Sequence, residues 1–172
     1  LDEGNNIEGW VVDLRGDRGG NGHPMVKGLS ALIGEGVYAY ASFHKKVIPM
    51  STLADQGSAI KLESPYRVKN PSNKIAVLID SNTGSSGELT AIAFKTLPNV
   101  KFFGQPSAGY TTANSTIKLS DGSILFLAIG YMTDRNMNKY IPNIVPDVIT
   151  SAIMEYSTDP TIAAAKSWLR MK

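Results

Sequence analysis

The chain has 172 residues, of which 42% are hydrophobic and 19% charged, and this composition is typical of one globular domain with its own core. It has no cysteine, which excludes thiol catalysis, disulfides and thiolate metal sites. The net charge of +2 comes from scattered lysines and arginines, so the dense basic patch of a nucleic-acid-binding protein is not expected.

The first third of the chain predicts a strand, a helix and a second strand. Residues 10–14 (WVVDL) are a β-branched apolar run typical of a buried strand, and the Gly-rich loop RGDRGGNG follows them. Apolar residues at helical spacing predict a helix over residues 23–33 that ends at Gly34. Residues 37–41 are expected to be a strand and residues 50–72 an irregular segment.

The middle of the chain continues the alternation of strands and helices. Residues 74–80 (KIAVLID) predict a second buried strand, residues 87–95 a helix closed by Pro98, and residues 100–104 (VKFFG) a third strand. This order predicts an α/β fold whose parallel sheet is connected by helical crossovers.

The pattern changes after residue 110. Residues 115–119 and 123–129 flank Asp121 and Gly122, which predicts an antiparallel hairpin with a two-residue turn. Residues 159–170 predict an amphipathic helix at the end of the chain.

The segment DSNTGSSGELTAIAF, residues 80–94, allows two interpretations of Ser85. Ser85 and Glu88 form the S-x-x-E signature of a capping box in front of an apolar helix. The same geometry would also display the Ser85 hydroxyl as a nucleophile at the carboxyl edge of the sheet. In that case the N–H of Ser86, in the first helical turn, would point at an oxyanion. The residues alone leave both interpretations open.

A second Gly-rich segment, DLRGDRGGNGHP, residues 13–24, also joins a strand to a helix and should open at the same edge. Its glycines match neither a P-loop nor the dinucleotide-binding fingerprint. The segment is either a plain turn, or the N–H of Gly19 or Gly20 is a second oxyanion donor. QPSAGYTTANS, residues 105–115, is expected to be a loop beside both.

A serine nucleophile needs a base to take its proton. The chain has two histidines. His23 follows the Gly-rich loop and is a minor candidate for this base, whereas His44 is expected on the surface. No lysine follows Ser85 in an obvious catalytic loop. The residues therefore predict a nucleophile and an oxyanion hole without a convincing base.

Four segments in order, GWVVDLRGDRGGN, IAVLIDSNTGSSGELTAIAF, FFGQPSAGYTT and IPNIVPDVI, resemble the core domain of the C-terminal-processing, or tail-specific, serine peptidases. The resemblance covers nearly the whole chain. It implies a nucleophile, two backbone oxyanion donors, a supporting carboxylate and a supporting hydroxyl, which fall respectively on Ser85, on Ser86 with Gly19 or Gly20, on Glu88 and on Ser107.

The chain departs from the bacterial Ser-Lys branch of this family at Tyr110, where that branch carries its lysine base. The segment RGDRGGNGHPMVKGL instead resembles the Ser-His branch, which includes nisin-resistance proteins and the tricorn protease core. In that branch the catalytic histidine precedes this domain. We therefore expect residues 1–172 to be a single peptidase core domain, taken from the C-terminal part of a longer protein. The resemblance also implies a Clp-protease/crotonase-like superhelix of strand–strand–helix units with a mainly parallel sheet.

The expected function is that of a serine endopeptidase core that cleaves peptides or protein tails near the C-terminus, with no cofactor or metal. Its expected partners are a peptide or protein substrate and an upstream domain of the same protein. By resemblance, the full-length protein is expected outside the cytoplasm, secreted or membrane-anchored. One alternative is a non-catalytic binding module of the same fold, similar to the retinoid-binding proteins, in which Ser85 is only a helix cap. A crotonase-like acyl-CoA enzyme is a further alternative, although no carboxylate pair is placed for it.

Overall fold

The computed structural model describes residues 2, 4–53, 66–151 and 159–171. The segment predicted to be irregular therefore lies partly outside the described residues. The described elements, in chain order, are β1 (Gly9–Asp13), α1 (Gly22–Gly28), α2 (Ser30–Ile33), β2 (Val37–Phe43), β3 (Lys46–Ser51), β4 (Lys74–Ile79), α3 (Ser86–Phe94), β5 (Val100–Gly104), β6 (Thr112–Lys118), β7 (Ile124–Asp134), β8 (Val148–Ile149) and α4 (Pro160–Arg170).

The predicted parallel sheet is confirmed, with the strand order β1-β4-β5-β8. Its central strand β4 is buried on both faces, as strands of parallel sheets usually are. Val77 and Ile79 enter the larger core cluster, whereas Ala76 and Leu78 pack on the other side together with Ala165 of α4. The predicted C-terminal helix therefore covers one face of this sheet.

A second, antiparallel sheet has the strand order β3-β2-β7-β6. Helix α3 contacts β4 of the parallel sheet and β2 and β7 of the antiparallel sheet. Every residue of α3 except Ser86 is buried, so the helix has no solvent-facing polar side and is not amphipathic. Only the first turn of this helix reaches the surface, at the carboxyl edge of the parallel sheet.

The helix predicted over residues 23–33 is in fact two short helices. α1 ends at Gly28 and α2 begins at Ser30, with Leu29 between them at φ −101° and ψ 7°. Glycine is a poor helix former, and this accounts for the break inside an otherwise continuous apolar pattern. Gly34 ends α2 as predicted, at φ 86°.

Two strands were not predicted from the sequence. β3 carries Pro49, which hides its strand pattern, but β3 is an edge strand, where proline is tolerated. β8 has only two residues, too few for a periodic signal. The segment 105–115, predicted as a loop, gives its last residues to β6, which begins at Thr112.

The predicted hairpin is present, but its two-residue turn is wrong. The N–H of Leu119 donates to the carbonyl oxygen of Ser123 at 2.9 Å, and the N–H of Gly122 donates to that of Leu119 at 3.1 Å. The loop therefore holds three residues, 120–122, and its last residue, Gly122, has φ 88°. Three-residue hairpin loops commonly place glycine in this left-handed position.

The hairpin extends beyond the antiparallel sheet as a two-stranded ribbon, residues 114–128. β2 pairs with β7 only between Gly130 and Asp134, so the ribbon strands pair only with each other. Phe126 is 68% exposed and Ile124 57% exposed.

In the described parts of the chain, no helix is both long and apolar enough to cross a bilayer.

The exposed ribbon generates a prediction about solubility. Phe126→Thr should keep the free energy of unfolding within about 0.5 kcal/mol, because the ring is largely exposed and threonine suits a strand. The same change should reduce aggregation, since it interrupts the apolar run ILFLAI. Thermal unfolding and light scattering measure the two effects. Phe103→Ala, at a ring only 1% exposed, should by contrast cost about 3–5 kcal/mol. A comparable loss in Phe126→Thr would contradict the exposed ribbon.

Asp159 generates a second prediction. Its carboxylate caps α4 by accepting from the N–H groups of Thr161 and Ile162 at 2.9 and 3.1 Å, and it pairs with Arg15 at 2.7 Å. Burial acts to raise the pKa of Asp159, but the hydrogen bonds from Arg15 and from the two N–H groups outweigh it, so the pKa lies below its ordinary value. A lowered pKa contributes stability above the unfolded-state pKa, and this stability is lost as the pH falls through the folded-state pKa.

Asp159→Ala should therefore lose about 0.5–2 kcal/mol at pH 7 through the cap. Asp159→Asn, which keeps a capping oxygen, should lose less. The difference between wild type and Asp159→Asn should shrink as the pH falls below about 4. Urea unfolding across pH measures this. A difference that grows on acidification would contradict the assignment.

Candidate active site

Three loops meet at the carboxyl edge of the parallel sheet, as predicted. They follow β1, β4 and β5. The N–H of Gly84 in the second loop donates to the carbonyl oxygen of Asp17 in the first at 2.9 Å. The N–H of Ala108 in the third loop donates to the carbonyl oxygen of Thr83 in the second at 2.8 Å. Backbone hydrogen bonds therefore fix the relative positions of all three.

Asp80 ties the first loop to the second. Its Oδ1 accepts from the N–H groups of Gly16, Asn82 and Thr83 at 2.9–3.0 Å. Burial acts to raise the pKa of Asp80, but the hydrogen bonds outweigh it and the pKa lies below its ordinary value. The Thr83 hydroxyl adds a bond to the carbonyl oxygen of Leu14 at 2.8 Å. Several hydrogen bonds thus hold the start of the loop after β4 in place.

Ser85 has an unusual backbone conformation, with φ 52° and ψ −116°. The N–H of Gly87 donates to the carbonyl oxygen of Gly84 at 2.9 Å and closes a four-residue turn. In this turn Ser85 holds the position that type II′ turns usually give to glycine. A non-glycine residue there is strained, and such residues concentrate at functional sites.

An ordinary helix cap does not need this conformation. Residues at the N-cap usually have extended dihedral angles, and Asp159 at the start of α4 has φ −79° and ψ 107°. Ser85 does make the contacts of a capping box with Glu88, and its own N–H donates to Glu88 Oε2 at 3.0 Å. Its hydroxyl, however, makes no capping hydrogen bond of full geometry. Capping alone therefore does not account for the positive φ.

Glu88 is fully buried and receives four hydrogen bonds. Its Oε2 accepts from the N–H groups of Ser85 and Tyr110 at 3.0 and 2.7 Å. Its Oε1 accepts from the Ser107 hydroxyl and the N–H of Gly109 at 2.5 and 2.9 Å. This carboxylate joins the turn that carries Ser85 to the loop after β5. Glu88 and Ser107, whose supporting roles the resemblance implied, are thus in direct contact.

The Gly-rich loop lies directly against the turn that carries Ser85. A Cβ on Gly19 would lie 2.8 Å from Ser85 Cβ and 3.0 Å from the backbone nitrogen of Ser86. The Ser86 hydroxyl donates to the carbonyl oxygen of Gly20 at 2.7 Å. Only a residue without a side chain permits this approach, at a φ of 104° for Gly19.

The backbone donors of the two loops differ in availability. The N–H of Gly19 donates to Asp17 Oδ1 at 3.0 Å. Among the described residues, the N–H groups of Gly20 and Ser86 have no hydrogen-bond acceptor. Two uncommitted donors therefore lie on adjoining loops beside Ser85.

Neither histidine is hydrogen-bonded to Ser85 among the described residues. His23 is buried in the first turn of α1, and neither of its ring nitrogens has a hydrogen-bond partner in the described part of the chain. The structure therefore does not bring His23 within hydrogen-bonding distance of Ser85. His44 is exposed between β2 and β3, as expected. Tyr110 is 65% exposed, and its ring lies over Gly84.

Sequence reasoning missed two features of this site. The positive φ of Ser85 has no signature in the residue itself. The double contact of Asp17 with Gly84 and Gly19 was also missed, because the Asp-x-Gly spacing that signals a local turn does not show which loop the carbonyl oxygen meets. Among the described residues, no three His, Cys, Asp or Glu side chains are placed to hold a metal.

Comparison with known proteins identifies the family. The model of peptidase family S41 matches residues 1–150. The chain belongs to peptidase family S41. The predicted resemblance to the C-terminal-processing peptidases is thereby confirmed.

Relatives of this S41 chain include the nisin-resistance protein of Lactococcus lactis subsp. lactis, 47% identical over 154 residues that make up 86% of this chain and 48% of that protein. The chloroplastic carboxyl-terminal-processing peptidase 2 of Arabidopsis thaliana is 28% identical over 145 residues, 84% of this chain and 26% of that protein. The structure of a lipoprotein from Streptococcus agalactiae has a TM-score of 0.77 at 32% identity and matches 96% of this chain and 55% of that chain. The S41 chain therefore spans about half of the first and third of these relatives and about a quarter of the second.

The buried carboxylate generates a prediction about stability. Glu88→Ala should lose about 3 kcal/mol or more, because four donors lose their acceptor and each unpaired buried group costs about 1–3 kcal/mol. Ser107→Ala should lose about 1–2 kcal/mol, since it leaves the N–H of Ile144 without its acceptor. Urea unfolding measures both.

Thr90→Val is a matched control in the same helix. Thr90 is buried, and its hydroxyl donates only to the carbonyl oxygen of Ser86 and towards Met25, so the loss should stay below about 1 kcal/mol. If Glu88→Ala were no more destabilising than this control, the carboxylate would not hold the loops together.

Proposed function

We propose that this S41 chain is the core domain of a serine peptidase in which Ser85 is the nucleophile. The observation that carries the proposal is the strained backbone of Ser85, a serine at a glycine-type turn position that opens a buried helix. The nucleophile of α/β-hydrolases is displayed on a similar strained turn between a strand and a helix. In addition, the N–H groups of Gly20 and Ser86, which have no acceptor among the described residues, are available to bind an oxyanion.

The proposed reaction follows from this geometry. Ser85 Oγ attacks the carbonyl carbon of a peptide bond while its proton passes to a base. The N–H groups of Ser86 and of the Gly19–Gly20 loop stabilise the negative oxygen of the tetrahedral intermediate. The intermediate then expels the amine, which takes the proton from the base, and water hydrolyses the remaining ester. Glu88 and Ser107 support this site by fixing the loops.

The base belongs to a segment outside this chain in our proposal. Neither histidine is hydrogen-bonded to Ser85, and His23 remains only a minor candidate because its side chain is buried. We propose that a histidine from an upstream segment completes the site, with residues 1–172 forming one core domain of a longer protein. The length of the relatives supports this arrangement.

The proposed substrates are peptides or protein tails, which are cleaved near their C-terminus. The name of one relative describes carboxyl-terminal processing, and that of another describes nisin resistance. An extracytoplasmic location is proposed from the same relatives and from the lipoprotein. The alternation of β1, β4 and β5 with helices supports the Clp/crotonase-like fold, which remains part of the proposal.

Cleavage of an unstructured peptide with a free C-terminus, read by mass spectrometry, tests this function. The chain and its proposed longer form are compared, each as wild type and as Ser85→Ala. The longer wild type should cleave, and Ser85→Ala should lower its rate by about 10³-fold or more. Ser81→Ala, an exposed serine in the same loop, should leave the rate unchanged.

Each alternative has its own signature in this experiment. Cleavage by the isolated chain would favour His23 as a local base. If no form cleaves a broad set of peptides and Ser85→Ala lowers only stability, by about 1 kcal/mol, Ser85 is a cap. The non-catalytic binding module would then replace the peptidase.

A further inference from the structure

Asp17 contacts both loops that carry the proposed oxyanion donors. Its carbonyl oxygen accepts from the N–H of Gly84, the residue before the nucleophile, at 2.9 Å. Its carboxylate Oδ1 accepts from the N–H of Gly19 at 3.0 Å. It also packs on the first turn of α3, because a Cβ on Gly87 would lie 2.4 Å from the Asp17 carbonyl oxygen and 3.0 Å from its carboxyl carbon. One residue thus links the Gly-rich loop to the nucleophile turn.

The hydrogen bond to Gly19 distinguishes two neighbouring donors. It commits the N–H of Gly19 to the Asp17 carboxylate, while the N–H of Gly20 has no acceptor among the described residues. Gly20 is itself tied to the nucleophile turn, since its carbonyl oxygen accepts from the Ser86 hydroxyl at 2.7 Å. The uncommitted donor therefore belongs to the residue that already contacts the helix start.

The charge of Asp17 is not required for this contact. A neutral amide oxygen accepts a hydrogen bond from an N–H as a carboxylate oxygen does, although less strongly. A negative charge near a forming oxyanion would also oppose catalysis rather than assist it. The contact itself needs only an acceptor atom at the position of Oδ1, which an asparagine side chain of the same length also supplies.

We propose that Asp17 is a positioning residue that makes Gly20, and not Gly19, the oxyanion donor of the Gly-rich loop. By occupying the N–H of Gly19, it fixes the loop so that the N–H groups of Gly20 and Ser86 face one bound oxygen. This inference rests on the proposed peptidase function. It adds to that function a specific donor and the residue that holds it in place.

Kinetics of peptide cleavage test the proposal in the form of the protein that cleaves. Asp17→Ala should lower kcat by about 10²-fold, the usual effect of losing one oxyanion donor, with KM changed by less than about threefold. Asp17→Asn should keep kcat within about threefold of wild type, because its amide oxygen can still accept from Gly19. This separation of kcat from KM, with rescue by asparagine, is not expected of a residue that only stabilises the fold.

Asp121→Ala is the matched control. The Asp121 carboxylate also accepts from the N–H two residues ahead, that of Ser123 at 2.9 Å, but in the hairpin loop. Asp121→Ala should leave kcat unchanged.

Amide-proton exchange measured by NMR on this chain gives a readout that does not depend on activity. Exchange of the Gly19 N–H should be slow in wild type and Asp17→Asn and at least about tenfold faster in Asp17→Ala, because the last lacks the acceptor.

The two measurements separate this inference from the peptidase proposal. If no form cleaves peptide, the peptidase proposal fails, while amide exchange still decides whether Asp17 holds the loop. Unchanged exchange of Gly19 in Asp17→Ala, or unchanged kcat, would overturn the role of Asp17. If Asp17→Ala does not fold, Asp17→Asn decides: a large loss of kcat in that variant, with Gly19 still protected, would mean that the charge matters and not the position.

Discussion

The site depends on the buried carboxylate of Glu88. A charged group without contact to water is costly unless hydrogen-bond donors surround it, and here four donors do so. Hydrogen bonds to a charged acceptor are stronger than those between neutral groups. Because three of the donors come from the loop after β5 and the fourth from the nucleophile turn, burying the charge and joining these two parts of the site are one event.

The strain at Ser85 is maintained by this network. A serine with positive φ persists only where its surroundings determine its conformation. Glu88 accepts from the N–H of Ser85, and the Asp17 carbonyl oxygen accepts from the N–H of Gly84, so the first two residues of the turn have fixed partners. The helix that follows is enclosed between two sheets and cannot shift to relieve the strain. The fold therefore holds the Ser85 hydroxyl in one place before any substrate binds.

The sequence predicted the parts of the fold that local patterns encode. The apolar runs of β1, β4 and β5 identified the parallel sheet, and the change of pattern after residue 110 identified the hairpin. The break at Leu29, the edge strand with Pro49 and the three-residue hairpin loop were missed. The edge position of β3 depends on a neighbouring strand that the local pattern does not show, whereas Gly28 and Gly122 lie within the predicted segments and their effect was underestimated.

The candidate site divides in the same way. The residues alone pointed to Ser85 and the Gly-rich loop, but they could not separate a cap from a nucleophile. That distinction depends on a dihedral angle set by Glu88 and Asp17, which contact the turn only in the folded chain. Likewise, the sequence treated Gly19 and Gly20 as equivalent donors, whereas the structure commits the N–H of Gly19 to a carboxylate.

Covalent labelling with a fluorophosphonate, a reagent that phosphonylates activated serine hydroxyls, tests the central claim that Ser85 is a nucleophile. Peptide mapping of the labelled protein by mass spectrometry locates the adduct. Ser85 should carry it in the form of the protein that cleaves peptide, and the neighbouring Ser86 should remain unmodified. An adduct on another serine, or none in a protein that cleaves peptide, would show that the strained turn serves some purpose other than nucleophilic catalysis.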